Sequence, residues 1–98
     1  MSFIQLVEFS TSRIDGVRKF SEKYRTDAKG KRKVVRGMLC IDRNRPSHYV
    51  TVSEFNNQDE AMENANLPET KEFAKNIDEL TDGPVVFRSL EVVDSWEG

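Results

Sequence analysis

The sequence contains very few of the residues that cross-link a chain or bind metals. Its 98 residues include one cysteine, one histidine, one tryptophan and three prolines. The single cysteine, Cys40, cannot form a disulfide within the chain, so a reducing compartment and a cytoplasmic protein are expected. One histidine and one cysteine are too few for a zinc site, and no metal or other cofactor is predicted. The apolar runs are far shorter than the roughly 20 residues of a membrane span, so no membrane association is predicted.

The composition is that of one small globular domain over residues 1–98. Hydrophobic residues make up 37% of the chain and charged residues 33%. A domain of this size buries only about 60–65% of the surface of its unfolded chain. Its stability as an isolated unit is therefore marginal, and oligomerisation is a common way to bury more surface.

Basic residues are concentrated in the first half of the sequence. Residues 1–49 hold 12 Lys and Arg against 5 Asp and Glu, whereas the remaining residues hold 3 against 12. The densest cluster consists of Lys29, Lys31, Arg32, Lys33 and Arg36. It could bind an anion or RNA, but no aromatic residues interleave with it to stack on bases. A solvated loop that complements acidic helices elsewhere is favoured, and nucleic acid is an unlikely partner.

The first half of the sequence predicts a strand, a helix and a second strand. Residues 3–9 are mostly apolar strand formers, and Ser12 or Asp15 is expected to cap the following helix. Apolar residues at spacings of three and four over residues 14–24 predict a surface helix. Residues 33–42 predict the second strand.

The second half predicts another strand, a helix in two parts and a last strand. His48–Phe55 is rich in strand formers and follows a polar turn, so it should form a hairpin with the second strand. Asn57 and Glu60 have the spacing of a capping box, and Pro68 suits the first turn of a helical continuation. Residues 85–93 predict the last strand.

This order of elements predicts an α+β, ferredoxin-like fold. Helices on one face of an antiparallel sheet in the order β-α-β-β-α-β give that arrangement. The strands show little alternation of apolar and polar residues, so both faces of the sheet are expected to be buried. Because the helices cover only one face, a second copy of the chain is expected to cover the other in a homodimer.

Residues from the third strand onwards are similar to those of a known family. The segment His48–Phe55 is followed by Glu60-Ala61, by Leu67-Pro68 and by Phe73. This pattern resembles the antibiotic-biosynthesis-monooxygenase-like family. The resemblance implies a dimeric α/β barrel in which two ferredoxin-like sheets stack face to face, with a pocket between the sheet and the helices of each subunit. The family includes cofactor-independent oxygenases of polyketides or quinols, haem-degrading enzymes and proteins without known activity.

The sequence departs from the family pattern in the second helical region. Many members carry histidines at the positions of Asn64 and Glu69, counted back from the phenylalanine that matches Phe73. Haem-degrading members resemble one another in a tryptophan and a histidine at the positions of Asn64 and Ala74. Without an axial histidine, haem binding at this place is not expected.

Three residues are the candidates for catalysis. His48 could act as a general base near neutral pH, or be an exposed polar residue at the end of a hairpin. Glu54 matches a glutamate of the family, and its alternative role is an ion pair or hydrogen bond that orients a neighbouring element. Asn64 could hold a substrate oxygen, or cap a helix end.

Five further residues are candidates for substrate binding. Tyr49, Ser53 and Phe55 share one face of the third strand with Thr51, and that face could line a pocket or meet the partner sheet; the interface role is favoured. Arg36 and Arg88 lie within strands, where a charge requires a partner. They could bind an anionic ligand, although structural pairing with glutamates is favoured. The candidate glutamates are Glu8, Glu54 and Glu91.

The leading hypothesis is a cofactor-independent monooxygenase that acts on a small aromatic or polyketide-like compound. The alternative is a non-catalytic ligand-binding or interaction module of the same fold, which the loss of both helix histidines favours. A nucleic-acid binder would rest on the basic cluster alone.

Overall fold

A computed structural model describes residues 2–98, which contain four strands and three helices. In chain order these are β1 (Phe3–Ser10), α1 (Ile14–Asp27), β2 (Arg36–Ile41), β3 (His48–Phe55), α2 (Gln58–Ala65), α3 (Pro68–Asp78) and β4 (Val86–Glu91). The predicted order is confirmed, with the second helical region divided into two helices. Leu67 occupies the N-cap position of α3 with an extended backbone, and Pro68 begins that helix, as expected for a proline in the first turn.

The four strands form one antiparallel sheet in the order β2-β3-β1-β4. β2 and β3 are a hairpin, and β1 lies between β3 and β4. The α+β, ferredoxin-like fold class is therefore confirmed. Right-handed crossover connections place the helices of both β-α-β units on the same side of the sheet.

The register of the strands divides the side chains of the sheet into two sets. The set that contains Phe9 and Phe55 is turned towards the helices, since these two residues are only 4% and 2% exposed. We call this set the helix face and the opposite set the open face. The helix face includes Phe3, Gln5, Val7, Phe9, Leu39, Ile41, Tyr49, Thr51, Ser53, Phe55, Phe87 and Ser89. The open face consists of Ile4, Leu6, Glu8, Ser10, Arg36, Met38, Cys40, His48, Val50, Val52, Glu54, Val86, Arg88 and Leu90.

The expectation that both faces of the sheet are buried includes a second copy of the chain, and in the single chain the open face and the two edge strands are exposed. All residues of β2 and β4 are exposed. Met38 and Leu90 are exposed on the open face, and Ile41 and Phe87 on the helix face. The helices cover the two central strands, while the edge strands retain apolar side chains in contact with water.

The two predicted helix starts have different outcomes. Asn57 caps α2 as predicted, because its side chain accepts a hydrogen bond from the backbone N–H of Glu60 at 2.8 Å. The predicted cap of α1 is wrong: Arg13 occupies the N-cap position, and no side chain caps it. The Ser12 N–H instead donates to the carboxylate of Asp82 at 2.7 Å, which ties the start of α1 to the loop before β4.

The helices pack on each other through aromatic and small residues. The rings of Tyr24 in α1 and Phe73 in α3 stack with centroids 5.0 Å apart. A Cβ atom at Gly16 would lie 3.0 Å from a methyl carbon of Leu80, so glycine permits the close approach of the two segments. None of the helices within residues 2–98 is both long and apolar enough to cross a membrane.

Candidate functional site

A groove with a volume of about 230 Å³ lies at the end of the two central strands, where β1 ends and β3 begins. Its walls include residues from all four strand ends or from the loops next to them. The lining residues are Glu8, Phe9, Ser10, Asp42, Arg45, His48, Tyr49, Val50, Pro84 and Val86. Five of these ten have side chains on the open face, and Phe9 and Tyr49 have theirs on the helix face, so the groove lies across the strand ends and contacts both faces of the sheet.

His48 is the titratable group of the groove whose geometry suits proton transfer. Its Nδ1 lies 2.9 Å from the carbonyl oxygen of Pro46. A carbonyl oxygen only accepts hydrogen bonds, so this contact assigns the proton of the neutral ring to Nδ1. The lone pair is then on Nε2, where a general base requires it.

The loop that carries the groove wall is fixed by backbone hydrogen bonds. The Thr11 N–H donates to Ser47 O at 3.0 Å, and the His48 N–H donates to Arg45 O at 3.2 Å. Ser47 has a positive φ of 63°, a conformation that a non-glycine residue adopts infrequently. The turn that presents His48 is thus held from two sides.

The charges near the groove are partly balanced within the chain. Arg88 lies 3.2 Å from a carboxylate oxygen of Glu8, which lines the groove. The Asp42 carboxylate accepts a hydrogen bond from the backbone N–H of Asn44 at 2.9 Å. Arg45 supplies a further positive group to the lining. Glu8, Asp42 and Arg45 therefore give the groove both signs of charge beside the apolar surfaces of Val50 and Val86.

Asn64 is buried in a polar network on the helix side of the sheet. It is 5% exposed, and its Oδ1 accepts a hydrogen bond from the Lys33 N–H at 2.8 Å. Its Nδ2 donates to the Tyr24 hydroxyl at 3.1 Å, and that hydroxyl lies 3.0 Å from Thr70 Oγ1. The side chain joins α1, α2, α3 and the segment before β2. This is a different role from helix-end capping, the alternative drawn from the sequence.

Glu54 and both strand arginines are engaged in ion pairs on the open face. Arg36 lies 3.7 Å from Glu54, and Arg88 pairs with Glu8. The predicted pairing of Arg36 and Arg88 with strand glutamates is confirmed, with Glu8 and Glu54 as the partners. Both guanidinium groups are largely exposed to solvent, so each pair contributes little to the stability of the isolated chain.

Tyr49, Ser53 and Phe55 lie on the helix face. The ring of Tyr49 stacks on Phe9 with centroids 5.9 Å apart, and Phe55 belongs to the core. A partner sheet cannot reach a face that the helices cover, so the interface role favoured for these residues is wrong. Tyr49 also lines the groove, whereas Ser53 and Phe55 lie further along β3.

The three catalytic candidates do not come together within one chain. His48 and Glu54 stand at opposite ends of the same face of β3, six residues or roughly 20 Å apart at the rise of a strand. Asn64 lies on the other side of the sheet. His48 and Tyr49 are the predicted site residues that share the groove. The groove also contains Ser10, Arg45 and Val86. The sequence did not indicate these three as site residues, because the strand ends come together only in the folded chain.

A second hollow lies between α1 and α3 and has a volume of only about 10 Å³, enough for one water molecule. Glu69 lines it, with one carboxylate oxygen 2.6 Å from Lys31 and the other, Oε1, buried without a hydrogen-bond partner. The hydrogen bond from Lys31 holds the pKa of Glu69 below its ordinary value. This hollow is too small for an organic ligand.

The basic cluster before β2 contacts the acidic helices. Lys31 pairs with Glu69, and Lys33 lies 4.0 Å from Glu63. Arg36 pairs with Glu54 as described above. The expectation that this segment complements acidic helices is therefore confirmed, and it carries less unpaired positive charge than the sequence alone suggests. Within residues 2–98 no three potential metal-ligating side chains cluster together.

Comparison of the sequence with protein-family models and with curated proteins gave no match. Comparison of the structure with solved structures gave several. A candidate antibiotic biosynthesis monooxygenase from Caulobacter crescentus CB15 superposes with a TM-score of 0.82 at 10% sequence identity, over 95% of this chain and 91% of that chain. SnoaB, a cofactor-independent oxygenase from Streptomyces nogalater, gives a TM-score of 0.79 at 12% identity, over 96% and 95% of the two chains.

The structure of Rv0793 from Mycobacterium tuberculosis is similar over the full length. Its TM-score is 0.80 at 13% identity, over 99% of this chain and 100% of that chain. The chain therefore has the fold of the antibiotic-biosynthesis-monooxygenase-like proteins, as the sequence pattern indicated. At identities this low, a shared fold does not carry an activity with it.

Proposed function

We propose that the protein is a homodimer that binds a small aromatic compound and oxidises it with molecular oxygen, without a cofactor. The observation that carries this proposal is the groove of about 230 Å³ that His48 and Tyr49 line, in a fold shared with a cofactor-independent oxygenase. Sites for drug-sized ligands are typically about 300–1,000 Å³. The smaller volume favours a substrate of one ring. The cytoplasmic location expected from the single cysteine is part of the proposal.

The proposed reaction uses the substrate as its own reductant. His48 Nε2 removes a proton from an activated phenol or from an acidic C–H next to the ring, and the resulting anion transfers electrons to oxygen. A C–O bond forms at the anionic carbon, the O–O bond breaks, and water leaves. For a methylene substrate the balance is R₂CH₂ + O₂ → R₂C=O + H₂O. For hydroquinone, a phenol, the ring carbon is oxygenated and the balance is C₆H₄(OH)₂ + O₂ → C₆H₃O₂(OH), a hydroxybenzoquinone, + H₂O. Arg45, which lines the same groove, would stabilise the anion electrostatically.

Oxygen uptake with hydroquinone tests this proposal. General-base catalysis contributes about 10²- to 10⁴-fold, so we expect His48→Gln to lower the rate by at least about 100-fold. Glu79→Gln is the matched control, because it changes an exposed polar side chain at the end of α3, away from the groove and from the open face. Equal rates in the wild type and His48→Gln, or no uptake by the wild type, would contradict the proposed oxidation.

A second candidate function is a binding module without catalysis. It is favoured by the engagement of Glu54 and Asn64 with protein groups, which leaves His48 as the remaining candidate base. Binding of hydroquinone to the wild type without oxygen uptake would support this candidate and exclude the oxygenase.

A further inference from the structure

We propose that the turn before β3 sets the tautomer of His48, and that Ser47 is the positioning residue in this turn. The inference rests on the proposed function, in which His48 Nε2 removes a proton from the substrate. Ser47 acts without touching the substrate, because its backbone aims the carbonyl group of Pro46 at His48 Nδ1. The hydroxyl group of Ser47 has no part in the proposal.

The geometry of residues 45–48 is that of a type II β-turn. The His48 N–H donates to the carbonyl oxygen of Arg45 at 3.2 Å, which closes the turn. Pro46 occupies the second position, where its ring fixes φ at about −65°. Ser47 occupies the third position with a φ of 63°. A type II turn requires a positive φ at that position, and glycine or asparagine usually supplies it.

The type of turn determines where the carbonyl group of Pro46 points. Between a type I and a type II turn, ψ of the second residue changes from about −30° to about +120°. The peptide group between Pro46 and Ser47 therefore turns over by roughly 150° between the two types. In the observed turn the Pro46 oxygen lies 2.9 Å from His48 Nδ1. In a type I turn the same oxygen would point away from the ring, and Nδ1 would lose this acceptor.

The infrequent backbone conformation of Ser47 is held by a contact with the protein interior. Thr11 is 1% exposed, and its N–H donates to the carbonyl oxygen of Ser47 at 3.0 Å. The Thr11 hydroxyl donates in turn to the carbonyl oxygen of Leu80, which follows α3. Strained residues persist only where their surroundings determine them, and they are concentrated at functional sites. The neighbours Arg45 and His48 both line the groove, so the strain of Ser47 lies beside the candidate site.

The tautomer decides whether His48 can accept a proton at Nε2. A neutral imidazole is a donor at one ring nitrogen and an acceptor at the other. If Nδ1 lost its partner, part of the population would carry the proton at Nε2 and could not act as a base there. Hydrogen-bond partners that fix the tautomer and orientation of a metal-bound histidine contribute about 10- to 100-fold to activity. We expect an effect of this size on the proposed oxidation.

Nitrogen-15 NMR of the imidazole ring tests the inference without relying on activity. His48 is the only histidine of the chain, so its ring signals need no further assignment. The chemical shifts separate a protonated from an unprotonated ring nitrogen at alkaline pH, where an imidazole is neutral. We expect the wild type and Ser47→Gly to carry the proton at Nδ1, since glycine adopts a positive φ readily. Ser47→Val should lose this preference, because a β-branched residue strongly disfavours that backbone.

The matched control places the same substitution on an ordinary backbone. Ser89 is exposed in β4, where valine is favoured, so Ser89→Val should keep the tautomer and the rate of the wild type. Oxygen uptake with hydroquinone should be about 10- to 100-fold slower in Ser47→Val and unchanged in Ser47→Gly. Circular dichroism verifies that each variant is folded. If Ser47→Val does not fold, Ser47→Ala applies the same test, since alanine also disfavours a positive φ.

Four results would overturn the inference. The first is a wild-type ring with its proton at Nε2. The second is a folded Ser47→Val protein with the nitrogen shifts of the wild type. The third is loss of the Nδ1 preference in Ser47→Gly, since the hydroxyl and not the backbone would then be responsible. The fourth is an altered tautomer in Ser47→Val with an unchanged rate of oxygen uptake. If the wild type takes up no oxygen, the proposed oxidation fails, whereas the NMR comparison still decides whether Ser47 sets the tautomer.

Discussion

The two faces of the sheet use polar residues in opposite ways. On the helix side, Asn64 is buried and makes hydrogen bonds to Lys33 and Tyr24 that hold three helices and a loop in place. On the open face, the charged residues form exposed ion pairs beside apolar side chains such as Met38 and Leu90. A buried polar group must be satisfied within its own chain, whereas a surface that remains solvated can be adapted for a partner. The stability of the chain is therefore expected to reside on the helix side and its interaction chemistry on the open face.

The largest expected change in the free energy of unfolding comes from a substitution on the helix face. Phe55 is 2% exposed, so Phe55→Ala should lower the free energy of unfolding by about 3–5 kcal/mol, through lost apolar burial and the cavity left behind. Urea denaturation followed by circular dichroism measures this change. The exposed residue Met62 provides the control, and Met62→Ala should stay within about 0.5 kcal/mol of the wild type. Similar effects of the two substitutions would remove the contrast between the core and the surface.

The next largest loss of stability is expected when the buried amide of Asn64 is removed. Asn64→Ala leaves the Lys33 N–H without its acceptor, whereas the Tyr24 hydroxyl keeps its contact with Thr70. One unsatisfied part-buried group costs about 1–3 kcal/mol. The free energy of unfolding should fall accordingly, while hydroquinone affinity at temperatures well below the unfolding transition should be retained. Asn66→Ala, which changes an exposed amide two residues away, is the matched control. Loss of binding by a fully folded Asn64→Ala protein would assign this residue to the site instead.

A smaller change in stability is expected at Glu69, and it depends on pH. The hydrogen bond from Lys31 lowers the pKa of Glu69 from its ordinary value of 4.5. A carboxyl group with a lowered pKa stabilises the folded state above the unfolded pKa, and this contribution is lost as pH falls through the folded pKa. Glu69→Gln should therefore be less stable than the wild type at neutral pH, and the difference should shrink as pH is lowered below about 4.5. Thermal melts between neutral and acidic pH, with exposed Glu79→Gln as control, measure the trend; a constant difference would contradict it.

The elements of the fold were predictable because their signals are local. The strand formers of β3 predict the bounds observed, His48–Phe55, and Asn57 with Glu60 predicts the start of α2. The start of α1 was not predictable in this way, because the Ser12 N–H binds Asp82, which lies 70 residues away in the sequence. No pattern within one segment reports such a contact.

The site was less predictable, because it too depends on contacts between residues that are far apart in the sequence. His48 and Tyr49 could be named because a strand that begins after a turn places polar residues at a sheet edge. Ser10, Arg45 and Val86 line the same groove only because antiparallel pairing brings the ends of the four strands together at one end of the sheet. The sequence also gave no means of deciding which strand face the helices cover, and that choice determines the faces of Tyr49 and His48.

The central claim is that a second copy of the chain covers the open face. Multi-angle light scattering over a wide range of protein concentration tests it most directly. We expect a mass of two chains that falls towards one chain on dilution. A mass of one chain at every concentration would contradict it and would remove the proposed interface.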